Sequence, residues 1–156
     1  MKPIIPLLLA IGLTGPAALA QDTTSAETAA TPEGVTVIDA NQVDLGEFLW
    51  QKRPVVVFAQ TQLDPAFTRQ MELLTARSEE LRERDVVIIT DTDPSEPTEL
   101  RRKLRPRGFM LVLIGKDGGV KLRKPFPWDV REISRSIDKM PLRKQELRDR
   151  KLELSQ

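Results

Sequence analysis

The 156-residue chain contains no cysteine, no histidine and no tyrosine. Without cysteine there is no disulfide and no thiol nucleophile, so the fold must be held by packing and polar bonding alone. Without histidine the chain lacks the side chain best suited to proton transfer near neutral pH and the commonest transition-metal ligand. A serine nucleophile served by a histidine base is excluded for the same reason. Aromatic residues make up 4% of the chain, with two Trp and five Phe. That is a poor supply for base stacking and argues against nucleic acid as a partner. Long apolar runs are also missing: the longest, Ile4 to Leu13, is too short to span a bilayer.

What is present begins with MKPIIPLLLAIGLTGPAALAQD, in which Lys2 precedes that apolar run and the small-residue triplet Ala18-Leu19-Ala20 follows it. This is the build of a secretory signal peptide spanning residues 1–20. Its removal after Ala20 implies a periplasmic or secreted protein with no integral membrane span. Residues 21–34, QDTTSAETAATPEG, carry no large apolar side chain and read as a disordered linker, since they cannot bury enough surface to order themselves. Residues 35–141 have the length and apolar content of one domain, and residues 142–156 form a charged tail of helical composition.

Charge is balanced overall but not along the chain. Residues 21–100 hold 6 basic and 16 acidic side chains, a balance of −10, whereas residues 101–156 hold 17 and 7, a balance of +10. Such a split marks a candidate interaction surface, unless the halves interleave in the fold and neutralise one another.

Hydrophobic periodicity gives the elements. Val35 to Ile38 is a short β-prone run, and Asp44 caps a helical turn carrying Leu45, Phe48 and Leu49. Pro54 to Ala59 is a continuous apolar run of strand length, as expected for a central strand covered on both faces, and Asp85 to Thr90 is a second central strand. Between them, Asp64-Pro65 starts a long helix reaching about Arg84, with Phe67, Met71, Leu74 and Leu81 on its apolar face. Leu100 and Leu104 mark a short helix. In FMLVLIGKDGGVKLR, residues 109–123, the Asp117-Gly118 pair between β-prone runs signals a hairpin. The pattern at Val130, Ile133, Ile137 and Met140 predicts a final packing helix, and the tail beyond Pro141 has only scattered leucines, as in a solvated helix. Alternating strands and helices closed by a hairpin make a mixed α/β sheet sandwiched by helices.

This order resembles the thioredoxin-like fold. In that fold the turn after the strand at Val55 to Ala59 bears a CxxC pair, and a cis-proline precedes the strand at Leu111 to Ile114. Here the first place is Thr61 to Asp64 and the second is near Phe109, so the resemblance implies a scaffold without thiol oxidoreductase activity. The strings FLWQKRPVVVFAQTQLDPAFTRQ, RERDVVII, GFMLVLIGKDGGVKLR and IDKMPLRKQE resemble an uncharacterised family of exported bacterial proteins, domain of unknown function 4174. That resemblance implies a fold and an address, but no activity and no cofactor.

Three candidate sites remain. At the start of the long helix, free N–H groups with Gln60, Thr61 and Gln62 beside them form an anion pocket, unless Asp64 fills it as the cap. Asp91 and Asp93 follow a strand end, and with Asp64 they are the residues a carboxylate- or metal-dependent enzyme would use, though turn chemistry in TDTDPSEP explains them equally. Arg101, Arg102 and Arg105, joined by Lys121 and Arg123 across the hairpin, form a candidate basic face for an acidic protein or an anionic component of the cell envelope, with a merely solvated face as the alternative. GKDGG lacks the flanking residues of a phosphate-binding loop and is read as the hairpin turn. The function these features favour is that of a non-catalytic binding or structural protein.

Overall fold

The computed structural model describes residues 34–155. The signal peptide reading and, apart from Gly34, the linker reading lie outside the described residues. One mixed sheet of five strands organises everything else, in the order β1 (Val37–Asp39), β3 (Val86–Asp91), β2 (Arg53–Phe58), β4 (Met110–Ile114), β5 (Val120–Lys124). The first three run parallel, while β4 and β5 are antiparallel to their neighbours.

The central strands are apolar on both faces because helices cover both. On one face Val55, Val57, Ile88, Leu111 and Leu113 pack under α1 (Pro65–Ala76), α2 (Ser78–Arg82) and α4 (Val130–Asp138) through Leu74, Leu81, Ile133 and Ile137. On the other, Val56, Phe58, Ile89, Val112 and Ile114 meet Leu100 and Leu104 of α3 (Glu99–Leu104), together with a 3-10 turn at Leu45–Phe48. The period of two along each strand thus sends neighbouring residues to different helices.

The long helix expected from Pro65 to Arg84 is broken at Arg77, whose backbone leaves the helical region at φ −133°, ψ 35°. Glu79 and Glu80 open the new segment, and carboxylates there meet the positive end of its backbone dipoles. The solvated tail is also corrected in part. Helix α5 (Pro141–Glu153) buries Arg143 against the domain, while Leu147 and Leu152, with Leu154 just after the helix, stand exposed. The hairpin is as expected, with Gly118 at φ 77° and the Gly115 N–H donating to the Gly119 carbonyl at 2.9 Å. A side chain at Gly118 would also strike Leu49, since an added Cβ would stand 2.9 Å from its Cδ2.

Candidate functional site

The turn from Gln60 to Asp64 leaves β2 and enters α1 at the C-terminal end of the parallel strands, where α/β sheets tend to place ligands. Its own side chains fill it. Asp64 Oδ1 accepts from the Ala66 N–H at 2.8 Å, and Thr61 Oγ1 accepts from the Leu63 N–H at 2.8 Å. The positive end of α1 is therefore occupied by a carboxylate of this chain, which works against the anion-pocket reading. Gln60, Thr61 and Gln62 point into solvent with Leu63, which is 89% exposed.

Beneath that turn lies a buried polar cluster. Asp91, at the end of β3, is 3% exposed, and both its carboxylate oxygens are engaged. Arg101 donates to Oδ1 from Nε at 2.9 Å and from Nη2 at 2.6 Å, and Thr98 Oγ1 donates to Oδ2 at 2.6 Å. Arg101 Nη2 also reaches the carbonyls of Ala59 and Asp91, each at 2.9 Å, and the guanidinium lies 5.5 Å from the Phe58 ring centre. Arg101 thus ties α3 to the end of β2, at the root of the turn.

This placement corrects the basic face. Arg101 is buried and cannot join it, because a guanidinium at the first turn of α3 points down onto Asp91 rather than outward. The carboxylate trio does not converge either. Asp64 caps α1, Asp91 is closed by Arg101 and Thr98, and Asp93 accepts from Ser95 N at 2.9 Å and Ser95 Oγ at 2.5 Å. The Ser95 hydroxyl holds the Asp93 carboxyl below its ordinary range. Among the described residues no group of three or more acidic side chains is placed to hold a metal ion.

The remaining cations do gather. Arg102, Lys103, Arg105 and Arg107 are exposed on or just after α3. Arg123 on β5 reaches across to donate to the Leu104 carbonyl at 2.6 Å, near the C-terminal end of that helix, where a cation is favoured. Lys121 shares Arg123's side of the strand but is held by Asp117 at 2.6 Å. That contact lowers the Asp117 carboxyl.

Residues 44–146, about two thirds of the chain, match a family described as a domain of unknown function, DUF4174. The chain belongs to the DUF4174 family. Solved structures similar to this DUF4174 protein include the reduced 2-Cys peroxiredoxin of Plasmodium vivax, at 17% identity over 62% of this chain and 81% of that one, with a TM-score of 0.51. A Plasmodium yoelii Prx1a modified at its N-terminus is 20% identical over 62% of this chain and 77% of that one, with a TM-score of 0.49. At 17% identity the likeness to the Plasmodium vivax protein shows the fold alone, which is thioredoxin-like, and the DUF4174 chain carries no cysteine with which to do thiol chemistry.

The DUF4174 domain also holds a polar network that the sequence reading missed. At the other end of the sheet Arg53, 1% exposed, donates to the Arg84 carbonyl at 3.0 Å and to Glu146 Oε1 at 2.9 Å. Lys116 Nζ lies 2.9 Å from the same oxygen and 2.8 Å from Asp85 Oδ2. Burial would raise the Glu146 carboxyl, but the bonds from Lys116 and Arg53 outweigh it and leave it below its ordinary range. The only sequence signal was an Arg at the head of an otherwise apolar strand, Arg53-Pro54-Val55-Val56-Val57-Phe58.

Proposed function

We propose that this chain is a non-catalytic binding protein, working outside the cytoplasm, that takes an acidic protein or an anionic component of the cell envelope on the face built by α3 and β5. The observation that carries this reading is a run of exposed cations without acid partners, close together along α3 and the residues after it. Some surface cations elsewhere are paired with nearby acids, as in Arg69 with Glu72, Arg77 with Glu80 and Arg135 with Glu132. Among the described residues, Arg102, Lys103, Arg105, Arg107 and Arg123 have no such partner, and Arg102 and Arg123 donate to backbone carbonyls instead. Five such cations on α3, the residues after it and the adjoining β5 attract an anion from solution, over a range of about 8 Å at physiological salt. That Asp64, Asp91 and Asp93 are each engaged by local partners and form no cluster favours binding over a carboxylate- or metal-dependent reaction. Among the described residues no helix is long and apolar enough to cross a membrane.

Binding of polyglutamate to the purified protein tests the face. It is expected to weaken steeply from low to high salt and to be abolished by Arg102→Glu with Arg105→Glu, with the melting temperature nearly unchanged, since exposed charges contribute about 0–1 kcal/mol. Retention by that double variant at low salt would place the binding elsewhere. The address rests on the order of Lys2, the apolar run and Ala18-Leu19-Ala20. Mass spectrometry of the secreted or envelope fraction is expected to find an N-terminus near Gln21, and an intact Met1 on cytosolic protein would refute it.

A further inference from the structure

A pocket of about 290 Å³ lies between the loop entering β2, the hairpin turn and the start of α5, at the opposite end of the sheet from the Gln60–Asp64 turn. Three cationic side chains border it, Arg53, Lys116 and Lys121, against a single carboxylate. Arg53 forms part of it, nearly wholly buried, and its Nε has no hydrogen-bond partner. Of the three N–H donors each lysine ammonium carries, Lys116 directs two at Asp85 and Glu146, and Lys121 directs one at Asp117. Helix α5, 13 residues long, opens onto the same pocket through Met140, Pro141 and Leu142 with no side-chain cap, so the positive end of its dipole is unanswered. The one carboxylate on the wall, Asp117, is already held by Lys121 and the Gly119 N–H.

The rest of the pocket is apolar and includes an unusual tryptophan. Trp50 sits at φ 62°, a left-handed conformation disfavoured for a bulky side chain, and its N–H donates to the Lys116 carbonyl at 2.7 Å. Trp50 is 68% exposed and borders the pocket. Backbone strain of this kind clusters at ligand-binding sites, and here it sets a large aromatic surface beside the cationic wall. We propose that this pocket binds a small aromatic carboxylate, its ring against Trp50 and Met140 and its carboxylate at the α5 N-terminus beside Arg53, Lys116 and Lys121. The site lies apart from Arg102, Lys103, Arg105, Arg107 and Arg123 and does not depend on them; of the β5 cations only Lys121 borders it.

Phenylacetate, with phenylacetamide as its neutral counterpart, tests this on the full chain by tryptophan fluorescence. Phenylacetate is expected to change the emission saturably, and phenylacetamide to bind at least about tenfold more weakly, because only the ionised group gains from charge-assisted hydrogen bonds. Trp50→Ala should abolish the change, which excludes Trp128 as its source, and Lys121→Gln should weaken binding several-fold. Met140→Asp, which supplies α5 with a carboxylate cap of its own, should prevent binding in a protein whose thermal unfolding remains cooperative. Should that variant fail to fold, the acid–amide comparison and Trp50→Ala decide the matter. Equal binding of acid and amide, no saturable response to phenylacetate, or an undiminished response in Trp50→Ala would overturn the proposal.

Discussion

Two buried arginines stand at opposite ends of one sheet and have been treated differently. At the C-terminal end of the parallel strands, Arg101 meets a carboxylate and two carbonyls and stacks on Phe58. At the other end, Arg53 shares Glu146 with Lys116, keeps an unpartnered Nε and borders a pocket. A thioredoxin-like fold ordinarily offers its chemistry at the first end. In this chain that end is sealed by Asp64 at the helix start and by Arg101 beneath the turn. The contrast shows how this end of the fold is held without cysteine: the positive end of α1 is answered by an internal carboxylate, and the strand ends are cross-braced.

The comparison breaks most visibly if Arg101 is removed. Arg101→Met would strand Asp91 as a buried, unpaired carboxylate, and a loss of about 3–5 kcal/mol is expected in chemical denaturation. Adding Asp91→Leu should restore much of it, because a well-packed apolar pair substitutes for a buried ion pair at little net cost. A loss under about 1 kcal/mol in Arg101→Met would mean that the cluster does not brace the turn.

A smaller effect is expected at the other end, where the acid partner is more open to water. Glu146 has a lowered folded pKa, so the unfolded chain binds the proton more readily. The stability it contributes is complete above the ordinary glutamate value of 4.5 and is lost as pH falls from there through the lowered folded value. Melting temperature should therefore fall less between pH 7 and acid in Glu146→Gln than in the parent protein. Equal falls would show that the Arg53–Glu146–Lys116 contact adds no pH-dependent stability.

Much of this architecture was legible in the sequence. The continuous apolar runs at Val55 to Ala59 and Val86 to Ile89, the Asp64-Pro65 start and the Asp117-Gly118 hairpin each report a local constraint that the fold obeys. Which face each core residue would take was not: Val56 and Phe58 turn away from the helices that carry Leu74 and Ile137. The break at Arg77 was hidden because Leu74 and Leu81 keep helical phase across it. The polar clusters were illegible for another reason. Arg101 looked like its neighbours Arg102 and Arg105, and only the position of Asp91, ten residues earlier and a strand away, distinguishes a buried brace from a surface charge. Glu146 pairs with a residue 93 positions away, a contact with no local signature.

The central claim is that binding belongs to the outward cations of α3 and β5 and not to the turn where the fold usually works. The most direct measurement is a map of backbone amide chemical shifts during titration with polyglutamate at low salt. The account predicts shifts concentrated at Arg102 to Arg107 and at Lys121 to Arg123, with Gln60 to Asp64 unmoved. Shifts centred on Gln60 to Asp64, with the α3 and β5 amides unmoved, would contradict it.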